Sequence, residues 1–325
     1  MLPGPYERWF VEMVGRPSPV ETRSTCDACA MAPGSPDLPP EGAFDPALRC
    51  CTYHPHLAAH LVGAILERGD SPGSDIVRAR IAERAGVTPI GIGPDARWAA
   101  AWKQSGTRPG AFGRDHSLLC PFLANERCTI WESRGAPCAS FHCKFDRGVS
   151  GASLWNLLTL AFNHIERALA RWLLQRMALD AAATDALLQY PADPTLQSRA
   201  WGSFHGKEEE YFRAASQLIA PLSWKEVVAI GGRDLTAIED TLTATMKRLA
   251  SNDLPSRVQR GEVLIQIGKP GTARLFHPAA PLDLLEIPAD LAPRLARFHE
   301  GEIADLEIDD SLLRKLLDWQ ALIAR

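Results

Sequence analysis

The residues of this chain best equipped for chemistry are its eight cysteines, and every one lies between Cys26 and Cys143. They fall as Cys26-x2-Cys29, the adjacent pair Cys50-Cys51, and then Cys120, Cys128, Cys138 and Cys143. Residues 144–325 contain none. A C-x2-C turn lets two thiolates meet one metal, and several thiolates together can close a zinc site or hold an iron–sulfur cluster. The crowding predicts a metal site in the N-terminal part, with all eight thiols as candidate ligands. The side chains of neighbouring Cys50 and Cys51 are expected to diverge. They would then address different metal atoms, or leave one as a small buried residue.

Histidines stand close by. His54, His56 and His60 follow Cys51, and His56 and His60 are spaced to share one face of a helix. No glutamate completes an H-E-x-x-H motif, which excludes the zinc-protease reading. Surface or core positions are the ordinary reading of this trio. His116 and His142 sit beside the last cysteines, placed to ligate or to support a ligand. Dinucleotide, P-loop, α/β-hydrolase and radical C-x3-C-x2-C motifs are all missing from the sequence.

The second cysteine block reads Cys120-Pro121-Phe122-Leu123, then Cys128-Thr129-Ile130-Trp131-Glu132-Ser133-Arg134, then Pro137-Cys138 and Cys143. It resembles the signature of the CxxCxxCC zinc- or iron-chelating family, the YkgJ-type cysteine-cluster proteins. In that family a compact cysteine block precedes a C-P-F-L segment and a C-x-I-Y-E-x-R-P-x-x-C-R segment. Here the first block is split by 20 residues between Cys29 and Cys50, Trp131 replaces tyrosine, Ala139 replaces arginine, and Cys143 is additional. The resemblance covers residues 26 to about 145 and implies metal binding. Because the family includes a flagellin lysine-N-methylase, it also implies an iron–sulfur cluster, S-adenosylmethionine-dependent methyl transfer and a protein or peptide substrate. Zinc is the alternative occupant. Apolar and aromatic neighbours (Phe122, Leu123, Ile130, Trp131, Phe141 and Phe145) are the kind of shell that shields a cluster from water.

The elements that must position these residues are mainly α. Residues 1–150 read as a cysteine-rich metal domain with irregular loops, 151–255 as a helical region, and 256–325 as a small α+β module of winged-helix-like outline. Five prolines in residues 31–46 suggest an extended linker. Apolar spacing predicts helices over 55–66, 74–85 with Ser74 as N-cap, and 153–178, then near 184–190, 206–220, 223–230 and 234–250. Residues 86–116 read as irregular loops. Asn163, His164, Glu166 and Arg167 read as the solvated face of the long helix, with a substrate pocket nearby as the alternative if the apolar face packs on the cluster. Gly268-Lys269-Pro270-Gly271 between two apolar runs predicts a hairpin, followed by a short strand at 284–287. Helices capped by Asp290 and Asp309 come last.

Bulk properties fit an ordinary globular protein. Of 325 residues, 46% are apolar and 23% charged, with a formal net charge of −4. Nucleic-acid binders show a basic excess that this balance lacks, so no such partner is expected. The most apolar stretch, 154–174, is interrupted by charged residues and predicts no membrane span. The N-terminal residues lack the apolar run of a secretory signal, so a cytoplasmic protein is expected. In that reducing compartment clustered cysteines are metal ligands or catalytic thiols before they are disulfides. The sequence therefore points to a cytoplasmic iron–sulfur enzyme of redox or group-transfer type. The alternatives are a structural zinc protein that serves as an interaction module, and a metal or redox sensor.

Overall fold

The computed structural model describes every residue except Met1, Asp37, Pro39, Pro40, Glu41, Ala192 and Asn252. The expected linker at 31–46 thus lies partly outside the described residues, at 37 and 39–41. Helix accounts for 51% of the chain and strand for 10%, the strands forming small antiparallel sheets. The mainly α expectation is met. Two compact units divide the chain, each drawn from three segments. Unit one takes Met1–Pro19, Asp45–Ser140 and Leu158–Thr243; unit two takes Val20–Phe44, Phe141–Leu157 and Ala244–Arg325.

Unit one is helical because its segments carry apolar stripes, several of them behind a side-chain N-cap. Its first helix, Gly4–Val14, buries Tyr6, Trp9, Phe10 and Met13 and stops at Gly15, whose φ of 77° lies in the left-handed region that favours glycine. The helix expected from Pro55 begins instead at Ala59 and ends at Glu67. Leu57 and Ala58 are drawn into an antiparallel pairing with Gly91 and Ile92, which leaves no helical turn before them. The next helix, Pro72–Glu83, starts earlier than Ser74 predicts. Ser71 is the N-cap and Ser74 is the third helical residue of a reciprocal capping box, with Pro72 in the first turn. Residues 86–116, expected to be irregular, hold two short strands and a helix, Ala96–Ala101, capped by Asp95.

The tightest packing in unit one is the crossing of helices Ala59–Glu67 and Glu208–Ile219. Gly63 allows it: a Cβ there would collide with the Phe212 carbonyl oxygen and lie 2.7 Å from Ser216 Cβ. Arg213 Nη1 donates to the Leu66 carbonyl at 2.8 Å, and Ser216 Oγ donates to Glu67 Oε2 at 2.9 Å. The helices expected near 184–190, 206–220 and 223–230 are present as Ala181–Gln189, Glu208–Ile219 and Trp224–Gly231. Pro194–Trp201, capped by Asp193 and with proline at its first position, is a further helix.

Two long helices contribute to both units. Gly148–Arg176 passes from unit two into unit one, and Arg233–Ala250 passes back. Unit two also holds two three-stranded antiparallel sheets. The predicted hairpin pairs Leu264–Ile267 with Thr272–Phe276, and Leu285–Pro288 adds the third strand. Arg257–Arg260 is the centre of the other sheet, flanked by Glu300–Glu302 and Leu322–Ala324. Val258, Leu275, Ile287, Leu295, Leu313 and Leu316 anchor the core beneath helices Leu291–Arg297 and Asp310–Asp318.

A fully buried carboxylate fastens the N-terminal segment of unit two. Asp283 takes both Arg23 Nη1 and Nη2, at 3.3 and 2.9 Å, and accepts the backbone N–H groups of Phe145 and Leu284. Lys144 Nζ, also without solvent exposure, lies 3.7 Å away. Burial raises the Asp283 pKa, against the lowering pull of Arg23, the Phe145 amide and Lys144.

Two stability effects follow. Gly63→Ala should cost about 1–3 kcal/mol in equilibrium urea unfolding, the ordinary penalty for overpacking a close crossing. Asp283→Asn removes the charge that faces Lys144 and Arg23, and should cost about 3–5 kcal/mol in the same measurement. An unchanged urea midpoint in either variant would contradict the corresponding contact.

Candidate metal centre

The cysteines divide between the units, five in unit one and three in unit two. In unit one, Cys50 and Cys51 follow a turn in which Arg49 has φ of 53°. The Cys51 carbonyl accepts the Cys120 N–H at 2.8 Å, which ties the two cysteine blocks together. Cys128 ends a two-residue strand paired with Leu123–Ala124. Asn125 and Glu126 close that hairpin with positive φ at both positions, as a tight type I′ turn demands. Cys138 rides on the short helix Ala136–Ser140. Cys120 is buried, and the other four thiols are half-buried.

Electrostatics link these sulfurs. Burial pushes Cys120 well above the usual thiol range, and the neighbouring Cys138, Cys51 and Cys128 add to that rise. Cys138 is pushed up to about 12, by burial first and then by Cys128, with Arg134 opposing and Cys51 adding to the rise. Cys51 moves the other way. A hydrogen bond from the Cys50 thiol holds its pKa down, helped by Arg49 and Arg134 and opposed by burial. The Cys50 thiol thus bears directly on the ionisation of its neighbour. Among the described residues, no three His, Cys, Asp or Glu side chains are placed to hold one metal ion. Cys120 and Cys138 thus share a desolvated neighbourhood in which ionised Cys51 and Cys128 oppose their own ionisation.

Arg134 and Glu166 take up positions beside the thiols. Arg134 donates through Nη1 to the Cys138 carbonyl at 3.0 Å and through Nε to the Trp131 carbonyl at 2.9 Å. Its guanidinium lies 3.5 Å from the Trp131 ring centroid, a stacked cation–π contact. Only its place in the C-x-I-W-E-x-R run signalled it. Glu166, expected on a solvated helix face, is buried and faces inward. Its Oε1 accepts the Ala136 N–H at 2.8 Å, at the start of the helix that carries Cys138, and also the Tyr6 hydroxyl. Burial raises its pKa to about 7, against the lowering effect of both hydrogen bonds.

The histidines of unit one serve the framework. His54 Nδ1–H donates to the Pro55 carbonyl at 2.9 Å, and Nε2 accepts from Arg80 at 2.9 Å, so both nitrogens are committed. Burial lowers its pKa to about 4. His56 lies before the helix and His60 within it, so the shared helical face does not form. His60 is buried, its pKa lowered to about 4 by burial, and its Nε2 has no partner among the described residues. His116 is exposed, 2.8 Å from Asp45. The apolar shell is only partly present: Phe122 and Ile130 are buried, whereas Trp131 and Phe141 are exposed.

In unit two, Cys26 is exposed, while Cys29 and Cys143 are half-buried. Cys143 is anchored through Ser24: its N–H donates to Ser24 Oγ at 3.1 Å, and the two side chains approach at 3.5 Å. Burial raises the Cys143 pKa, Ser24 and Lys144 pull it down, and Cys29 adds to the rise. The His142 ring packs 4.3 Å from that of Trp155. Trp155 Nε1–H in turn donates to Glu21 at 2.6 Å.

Comparison with protein families, with curated proteins and with solved structures gives no match.

Two titrations test this geometry. Cys50→Ala should raise the Cys51 pKa and slow its alkylation near neutral pH, because the thiolate is the nucleophile. Residue-resolved mass spectrometry of iodoacetamide labelling would show no change if the thiols do not meet. The folded chain holds the Glu166 proton more tightly than the unfolded chain, whose carboxyl has its ordinary pKa of 4.5. This contribution to stability is complete below pH 4.5 and is lost as pH rises through 7. Glu166→Gln should flatten that loss, by up to about 3 kcal/mol, in urea midpoints taken across the interval.

Proposed function

We propose that unit one binds an iron–sulfur cluster through thiols drawn from Cys50, Cys51, Cys120, Cys128 and Cys138, and that the protein is an enzyme of redox or group-transfer type. The observation that carries this reading is the desolvated neighbourhood of Cys120 and Cys138, where Cys51 and Cys128 add to the cost of ionising either thiol. Four ionised sulfurs there are unfavourable alone, and a multiply charged cationic occupant relieves them. The donor set is all sulfur, which suits an iron–sulfur cluster or zinc better than harder cations. The likeness of Cys120–Arg134 to the zinc- or iron-chelating family, which includes a flagellin lysine-N-methylase, extends the proposal to methyl transfer with S-adenosylmethionine onto a protein or peptide. A bound cluster would supply one-electron redox chemistry.

The protein's own part is to hold and tune the sulfurs. Arg134 offsets thiolate charge at Cys51 and Cys138. Glu166 fixes the start of the helix carrying Cys138 through the Ala136 amide. The Cys120 N–H to Cys51 carbonyl bond sets the distance between the two blocks.

Anaerobic purification with iron, sulfide and zinc analysis tests the reading. A brown protein containing iron and sulfide is expected, with both lost in the Cys120→Ser/Cys138→Ser double variant. A colourless protein with stoichiometric zinc would replace the cluster by a structural zinc site. Retention of iron by the double variant would remove these thiols from the site.

A further inference from the structure

Unit two has a cleft of about 320 Å³ whose apolar wall is Leu284, Leu285 and Trp319. Leu284 is buried, and so is most of Trp319, whose ring packs with Val149, Ala152 and Ala280. Gly148, with φ of 49°, leaves room for that ring: a Cβ there would lie 2.5 Å from Trp319 Cδ1. The wall is therefore fixed before any ligand arrives. A cavity of this size, with an apolar wall and a few polar groups, is the ordinary form of a small-molecule site.

Five charged side chains surround the wall, and they differ in what they already hold. Both oxygens of Asp146 are occupied by Thr22, through its N–H at 2.9 Å and its hydroxyl at 3.1 Å. Asp318 accepts a two-pronged pairing from Arg147 at 2.7 and 2.9 Å. Arg23 is spent on Asp283. Two groups remain. Lys315 Nζ has no hydrogen-bond or ion-pair partner among the described residues, and Glu286 gives only Oε1 to Arg274, leaving Oε2 without one. One uncommitted cation and one uncommitted carboxylate oxygen thus border a preformed apolar wall.

We propose that this cleft binds a small zwitterion, an α-amino acid with an apolar side chain. Its carboxylate meets Lys315, its ammonium meets Glu286, and its side chain lies against Leu284 and Trp319. A simple anion or cation would satisfy one arm and leave the other facing it unmatched. The site is independent of the thiols of unit one and holds whether or not a cluster binds there.

Calorimetric titration of the full chain with L-leucine, L-leucinamide and N-acetyl-L-leucine tests this. L-Leucine should bind in a saturable way, and each blocked analogue about tenfold or more weaker, the worth of one charge-assisted hydrogen bond. Lys315→Met should weaken L-leucine by a similar factor and abolish the discrimination against leucinamide. Glu286→Gln should abolish the discrimination against N-acetyl-L-leucine. Lys269→Met, on the hairpin turn and outside the cleft lining, should change nothing. No saturable binding of L-leucine to the wild-type chain overturns the proposal. So does an L-leucine affinity that neither Lys315→Met nor Glu286→Gln alters.

Discussion

A carboxyl group removed from water must be met by donors on every open side, and each unit is organised around one. In unit one it is Glu166, which accepts Tyr6 from the N-terminal helix and the Ala136 amide from the cysteine loop. In unit two it is Asp283, which gathers Arg23, Lys144 and two backbone amides. Both anchors lie next to sulfur. The Ala136 amide begins the helix bearing Cys138, and the residues clasped by Asp283 neighbour Cys26 and Cys143 in sequence. Loops with little regular structure are thereby tied down, which any site of stated geometry requires.

The two anchors answer burial differently. Asp283 faces two cations, yet burial remains the largest influence on it. Glu166 has only neutral donors in hydrogen-bonding contact, and its pKa rises to about 7. The neutral form of a carboxyl needs less compensation than the charged one, so a group without a cation settles toward protonation. Among the thiols the same contrast appears. Cys51 has a thiol donor and two arginines to favour its ionised form, while Cys120 and Cys138 sit deeper with fewer such aids. Sulfurs adjacent in space thus differ widely in how readily they ionise.

Much of the fold was legible because caps and periodicity are local. Asp309 caps its helix through the Leu312 amide as its position suggests, and the turn at 268–271 joins the strands that flank it. Where partners are distant, the sequence was silent. Leu57 and Ala58 look helical until Gly91 and Ile92 claim them. Glu166 looks solvated on a helix rich in polar residues until Tyr6, 160 positions earlier, reaches its oxygen. The candidate thiols were all readable as cysteines, but their division into five and three was not, since it depends on which long-range segments pack together.

The interleaving of the units bears on how the chain is made. Unit two needs residues 20–44, 141–157 and 244–325, so its first segment leaves the ribosome long before its last. At synthesis rates of about 5–20 residues per second, Cys29 precedes Asp283 by an interval on the order of tens of seconds. The Cys143 segment follows Cys29 within the first half of that wait, but the buried carboxylate that holds Arg23 and Lys144 comes only at its end. The order of translation thus leaves Cys26 and Cys29 the first thiols made and among the last to gain the long-range contacts of their unit.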